Sequence, residues 1–209
     1  RLVGSEMCIR DSINTPYRTI TREQFLFNEM RIVASLLSEG KSEKEIVEEI
    51  ATNNLFQYPT ERMIKNIAQV CLNRFKEADS KELVELVAKG SSDTAKQACL
   101  FLMMNYYRLV WEFMINVVGE KYRTKNTSFG KVDLNSFFTQ LQEQNETVAS
   151  WSDSTVNKCK QVLKKSLVEA GYLDNARSQE LNHILLDPEL KDIIEHTKNP
   201  NALIAFGCM

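Results

Sequence analysis

Residues 61–76, ERMIKNIAQVCLNRFK, place Arg62, Lys65, Asn66, Gln69, Asn73 and Lys76 on one side of a helix at about 100° per residue, with no acid among them. Ile64, Ile67, Ala68, Cys71 and Phe75 fall on the opposite side. Guanidinium, ammonium and amide groups are the types that reach phosphates and base edges, Asn and Gln suiting adenine and Arg suiting guanine. A second stretch, WSDSTVNKCKQVLKKSLVEAGYL, repeats the arrangement. Val156, Cys159, Leu163, Leu167 and Ala170 form its apolar stripe, and Asn157, Lys158, Gln161, Lys164 and Lys165 lie opposite, without an acid until Glu169. Lys160 sits at the edge of the stripe, placed to snorkel. The polar, glycine-bounded segment GEKYRTKNTSFGK reads as a loop that adds Lys121, Arg123, Lys125 and Lys131 against Glu120 alone. Each helix face taken singly is also what a solvated scaffold helix presents. Two acid-free faces in one chain favour recognition of a nucleic acid.

Other chemistry finds little support. The sequence contains no glycine-rich phosphate loop, HExxH motif or nucleophile elbow, and His183 and His196 have no triad-like context, so no catalytic residue is assigned. Neither histidine has a cysteine nearby and no Cys-x-x-Cys spacing occurs, so no metal, cofactor or small-molecule substrate is expected. Cys71, Cys99, Cys159 and Cys208 are far apart and read as reduced thiols, mostly packed in helices of a cytoplasmic protein. The net charge of −2 does not by itself announce a polyanion binder; only the distribution of charge does.

The elements that must position these faces read as helices. With 43% hydrophobic residues but only 7 Gly and 4 Pro, the chain can bury a core yet has few of the turns an all-β fold needs. The expected class is all-α, a helical bundle with helix-turn-helix or winged-helix-like N- and C-terminal regions. Thr21 to Gln24 matches a capping box opening a helix that Gly40 stops; Ser42 and Glu45 open a short acidic helix; Thr60 caps the third. Ser80 to Lys89 is a short helix closed by Gly90, and Ser92 or Asp93 caps a long one. Asp133 to Glu143 is amphipathic, and Ser154 or Asp153 caps the basic helix ending at Gly171. Beyond it, DNARSQ is placed for a hairpin, and a further helix is expected from Pro188.

The run ACLFLMMNYYRLVWEFMINVV, residues 98–118, raises a membrane question. Its exceptions Asn105, Arg108, Glu112 and Asn116 are spaced as one narrow helical stripe, and Arg108 and Glu112 can pair as i, i+4 neighbours. A charge at mid-span costs about 2.5–3.5 kcal/mol on insertion scales. The run is therefore expected to be a central buried helix of a soluble domain, and no membrane association is expected. Residues 1–12, RLVGSEMCIRDS, lack any hydrophobic period and fit the in-frame translation of a sequencing-library adapter. They are expected to be a disordered scar rather than part of the fold, with the natural N-terminus missing. The remaining chain divides into an N-terminal helix-turn-helix-like region, 13–90, and a C-terminal region, 91–209, with its winged-helix-like part at 147–190.

WSDSTVNKCKQVLKKSLVEAGYLD, preceded by a long Trp-containing helix and by LLSEGKSEKEIVEEIATNNLFQYPTERMIKNIAQVCLNRF, resembles the BrxA family of bacteriophage-exclusion (BREX) defence systems. The similarity runs from about Tyr17 onward and is one of pattern and order rather than of a single short motif. It implies a small, all-helical, non-enzymatic protein that binds double-stranded DNA beside larger BREX components. Family members have also been likened to a helical RNA-binding antitermination fold, which keeps RNA open as a ligand. A protein adaptor, docking the same faces on acidic partner surfaces, is the third reading, and the net acidity of the chain suits it.

Overall fold

The computed structural model describes residues 15–208, so the adapter-like residues 1–12 lie outside the described part. Eleven α-helices occur among the described residues: α1 (Phe27–Ser38), α2 (Glu43–Thr52), α3 (Glu61–Ala78), α4 (Lys81–Lys89), α5 (Ser92–Tyr106), α6 (Arg108–Phe113), α7 (Glu120–Arg123), α8 (Lys131–Gln144), α9 (Glu146–Ala149), α10 (Asp153–Glu169) and α11 (Pro188–Glu195). A π-helical segment, Met114–Gly119, joins α6 to α7, and a 3-10 helix, Pro200–Phe206, follows α11. The fold is all-α, as composition implies.

Local signals set most boundaries. Ser42 and Glu45 complete their capping box on α2, Thr60 accepts from the Met63 N–H at the start of α3, and Ser80 accepts from the Leu83 N–H at the start of α4. Two caps shift by a residue or two. Ser91 rather than Ser92 or Asp93 opens α5, and Ser152 rather than Ser154 or Asp153 opens α10, each hydroxyl accepting from the N–H three residues on. Gly171 adopts φ +83°, ending α10 in a conformation that suits glycine.

Two expectations fail, for connected reasons. Thr21 to Gln24 opens no helix. The chain stays irregular, bending at residues 21–22 where the Glu23 N–H donates to the Ile20 carbonyl at 3.3 Å, up to Leu26, which takes a left-handed conformation (φ 59°) before α1 begins at Phe27. The long apolar run is not one helix either, because Tyr107 leaves helical geometry at φ −116°, ψ 110° and separates α5 from α6. Its phenol donates to the Glu23 carboxylate, and the Arg74 guanidinium lies 5.2 Å from its ring centroid. The break is thus fixed by tertiary contacts of the strap 15–26, with no proline or glycine to mark it. Arg108 and Glu112 do pair at 2.7 Å, and the Tyr17 hydroxyl donates to the same carboxylate at 2.6 Å. No described helix is long and apolar enough to cross a membrane.

The hairpin expected around DNARSQ is found only in part. Residues 175–178 make a turn, with the Ser178 N–H donating to the Asn175 carbonyl, and the Asn182 N–H returns to the Tyr172 carbonyl at 2.8 Å, but the rest of the outgoing chain pairs elsewhere. The Leu181 N–H donates to Thr127 O at 2.7 Å and the Phe129 N–H donates to Gln179 O at 2.8 Å, a single antiparallel bridge to the loop after α7. Buried Tyr172, Leu173 and Leu181 tie this segment to the core, so it does not project as a free two-stranded wing.

One hydrophobic cluster runs from Tyr17 to Phe206 and draws on both the 13–90 and the 91–209 regions. α1 packs along α4 and against α3, while α3 and α4 pack on α5. At the other end Gly119 touches the 3-10 helix: a Cβ built there would lie 2.6 Å from Ile204 Cγ2 and 3.2 Å from its carbonyl oxygen. Gly119→Ala is expected to cost about 1–3 kcal/mol by overpacking, read as a lower urea midpoint at unchanged slope.

Cys71, Cys99 and Cys159 are buried and Cys208 is half-buried, all as free thiols. Burial pushes the Cys71 and Cys99 thiols up to about 12. At about pH 8 a thiol reagent is expected to label Cys208 in the folded chain and the three buried cysteines only on unfolding. Mass-spectrometric mapping of the labelled peptides with and without urea checks this.

Candidate nucleic-acid interface

The two faces singled out by residue type are solvent-facing. On α3, Ile64, Ile67, Ala68, Cys71 and Phe75 are buried, Arg62, Lys65, Asn66, Gln69 and Lys76 are exposed, and Asn73 is half-buried. Gln69 donates to Asn73 Oδ1 at 3.1 Å, which orders two amides one turn apart. The face is less cationic than its sequence suggests. Glu61 pairs with Lys65 at 2.5 Å and holds its ammonium above the usual value, and Glu43 lies 3.5 Å from Lys76.

On α10 the stripe Val156, Cys159, Leu163, Leu167 and Ala170 is buried, Asn157, Lys158, Gln161 and Lys165 are exposed, and Lys164 is half-buried. Lys160 stands apart as expected, its ammonium 5.5 Å from the Phe138 ring centroid and 2.8 Å from Asn135 Oδ1. Among the described residues no ion pair engages Arg62, Lys158, Lys164 or Lys165. Their charge is available to a ligand.

The basic loop is built differently. Gly119 to Arg123 is helical, and the loop proper starts at Thr124. Lys121 is 11% exposed, pairs with Asp133 at 2.8 Å and donates to the Ser128 carbonyl. Arg123 is exposed but forks onto Glu120 at 2.5 and 2.8 Å. Lys125 and Lys131 are exposed and, among the described residues, in no ion pair. Neither a hydrogen bond nor an ion pair links this loop to α3 or α10 among the described residues.

What does link the two faces is the strap. Arg22 and Gln24 line one cleft with Arg62, Asn66 and Gln69 of α3, and line a second with Lys165 of α10 and Lys96 of α5. The Lys165 ammonium donates to Gln24 Oε1 at 3.0 Å. The strap's path is held from beneath by Arg74, fully buried, whose guanidinium donates to the carbonyls of Glu23, Gln24 and Phe25 at 3.2, 2.7 and 2.9 Å. Residue types and spacing pointed to neither Arg22 nor Arg74. Arg74 had a visible signal, since it falls one turn beyond Cys71 and beside Phe75 on an otherwise apolar face.

Among the described residues no cluster of three or more His, Cys, Asp or Glu side chains is placed to hold a metal ion. The family model described as BrxA matches residues 16–198. The chain belongs to the BrxA family. Its relatives include the BREX protein BrxA of Bacillus cereus (strain H3081.97), 38% identical over 181 residues that cover 86% of this chain and 88% of the relative. The BREX protein BrxA of Escherichia coli O9:H4 (strain HS) is 28% identical over 167 residues, covering 80% and 78%. A crystal structure of an uncharacterized protein from Magnetospirillum magneticum shares the BrxA-family fold seen here, with a TM-score of 0.76 at 23% identity over 93% of this chain and 98% of that one.

Proposed function

We propose that this chain is a non-enzymatic, double-stranded-DNA-binding accessory component of a BREX phage-defence system, acting in the cytoplasm beside other BREX components. The observation that carries the reading is the pair of exposed faces on α3 and α10, dominated by cations and amides with Glu61 and Glu169 at their ends, and meeting at one strap. The names borne by the relatives supply the system. In this reading α3, paired with α2, offers Arg62, Asn66 and Gln69 to the duplex, and α10 offers Asn157, Lys158, Gln161, Lys164 and Lys165. Lys125, with Arg123 where it releases Glu120, contacts phosphate from the far loop. The docking departs from a standard helix-turn-helix pair, because the link at 53–60 is longer than the usual turn of about 3–4 residues. It also departs from a winged helix, because the segment after α10 is tied to residues 127–129.

The net charge of −2 and the internal pairing of Lys65 and Lys121 favour one alternative, an adaptor whose faces meet an acidic partner protein. A salt titration of binding to a labelled DNA duplex, with an RNA duplex of equal length and heparin as competitors, separates the two. Salt-steep affinity that resists both competitors supports duplex-DNA binding. Loss of the complex to heparin at equal charge supports the adaptor, and preferential capture by RNA supports RNA binding.

A further inference from the structure

We infer that the strap is a third element of the binding surface, with Arg22 a phosphate-contacting residue and Arg74 the residue that positions it; the inference rests on the duplex-binding reading above. An irregular segment outside helix and sheet has no ladder of its own, so its carbonyls need partners. Here a single fully buried guanidinium supplies three of them, without a carboxylate in ion-pair range among the described residues. Burying a charge this way is costly unless its donors are well used. The result is a strap pinned on both sides of Arg22, by buried Ile20 before it and by Phe25 and the three held carbonyls after it.

Arg22 itself is exposed, has no ion-pair partner among the described residues and sits where the α3 and α10 clefts adjoin. Three acids share its clefts without pairing with it: Glu23, which accepts from Tyr107, on the α3 side, and Glu29, which accepts from Tyr58 at 2.5 Å, with Glu169 on the α10 side. A guanidinium carried on a held backbone between the two faces suits the phosphate oxygens of a nucleic-acid backbone crossing from one to the other. Holding the strap's backbone in place beforehand lowers the ordering cost on binding.

The test measures duplex affinity and its salt dependence for Arg22→Ala, Arg74→Lys and the double variant, with Lys158→Ala as a partner remote from the strap. Arg22→Ala is expected to weaken binding roughly tenfold and to lower the salt slope by about 0.9. Arg74→Lys keeps the charge but cannot serve three carbonyls; its effect should largely vanish in the Arg22→Ala background, yet multiply with that of Lys158→Ala. Tyr107→Phe, which releases the strap's Glu23 while keeping the ring under Arg74, is the second perturbation should Arg74→Lys unfold. Unchanged affinity and slope in Arg22→Ala, or effects that simply multiply between Arg22 and both strap variants, overturn the inference. If Arg22→Ala is silent while Lys158, Lys164 and Lys165 changed together to Glu lose binding, this inference alone falls; if wild-type protein shows no salt-steep binding, the duplex reading falls with it.

Discussion

Lys158, Lys164 and Lys165 changed together to Glu are expected to abolish duplex binding while helicity is retained. All three project from the face of α10 opposite buried Val156, Cys159, Leu163 and Leu167, and none is engaged in an ion pair among the described residues. The substitutions leave that packing untouched, and Glu is a good helix former. Three cations that each neutralise a phosphate contribute about 2.7 to the salt slope, and reversing them adds repulsion to the loss. At about 0.1 M salt the expected loss exceeds a hundredfold, read by fluorescence anisotropy beside far-ultraviolet circular dichroism. Unchanged affinity removes α10 from the interface.

Arg74→Ala is expected to destabilise the fold by about 3–5 kcal/mol. The change removes a fully buried side chain, leaves the carbonyls of Glu23, Gln24 and Phe25 without their donor, and strips the Tyr107 ring of its cation. Relief of the buried charge offsets part of this, which keeps the figure below the sum of the lost contacts. Against a typical total of about 5–15 kcal/mol the loss is large and should be plain in urea denaturation. Arg74→Met restores most of the volume but none of the donors, so it should recover the packing share alone. A loss below about 1 kcal/mol in Arg74→Ala would show that the strap is held by Tyr17, Ile20 and Phe25 without help.

The same two regions show what was legible in the sequence. The α2, α3 and α4 starts follow from Ser42, Thr60 and Ser80 because a capping hydroxyl acts on an N–H three residues away, well inside any local window. The α3 and α10 faces follow from helical period for the same reason. The strap does not, because its conformation is decided by Arg74 and Tyr107, respectively 49 to 51 and 84 residues distant from their partners in it. Thr21 to Gln24 satisfies the capping-box pattern locally and is overruled by those contacts. The break at Tyr107 is hidden likewise, since a tyrosine between two apolar helical runs carries no stop signal. Lys121 illustrates the limit for charge: GEKYRTKNTSFGK shows Glu120 as its only acid, but Asp133, just beyond it, neutralises the lysine.

Lysine acylation footprinting with and without a DNA duplex tests most directly whether α3 and α10 act as one surface. Protection is expected together at Lys65, Lys158 and Lys165, with Lys81, Lys89 and Lys191 unchanged. Protection centred on Lys89 and Lys191, or spread evenly over all six, would contradict a duplex lying across these two helices.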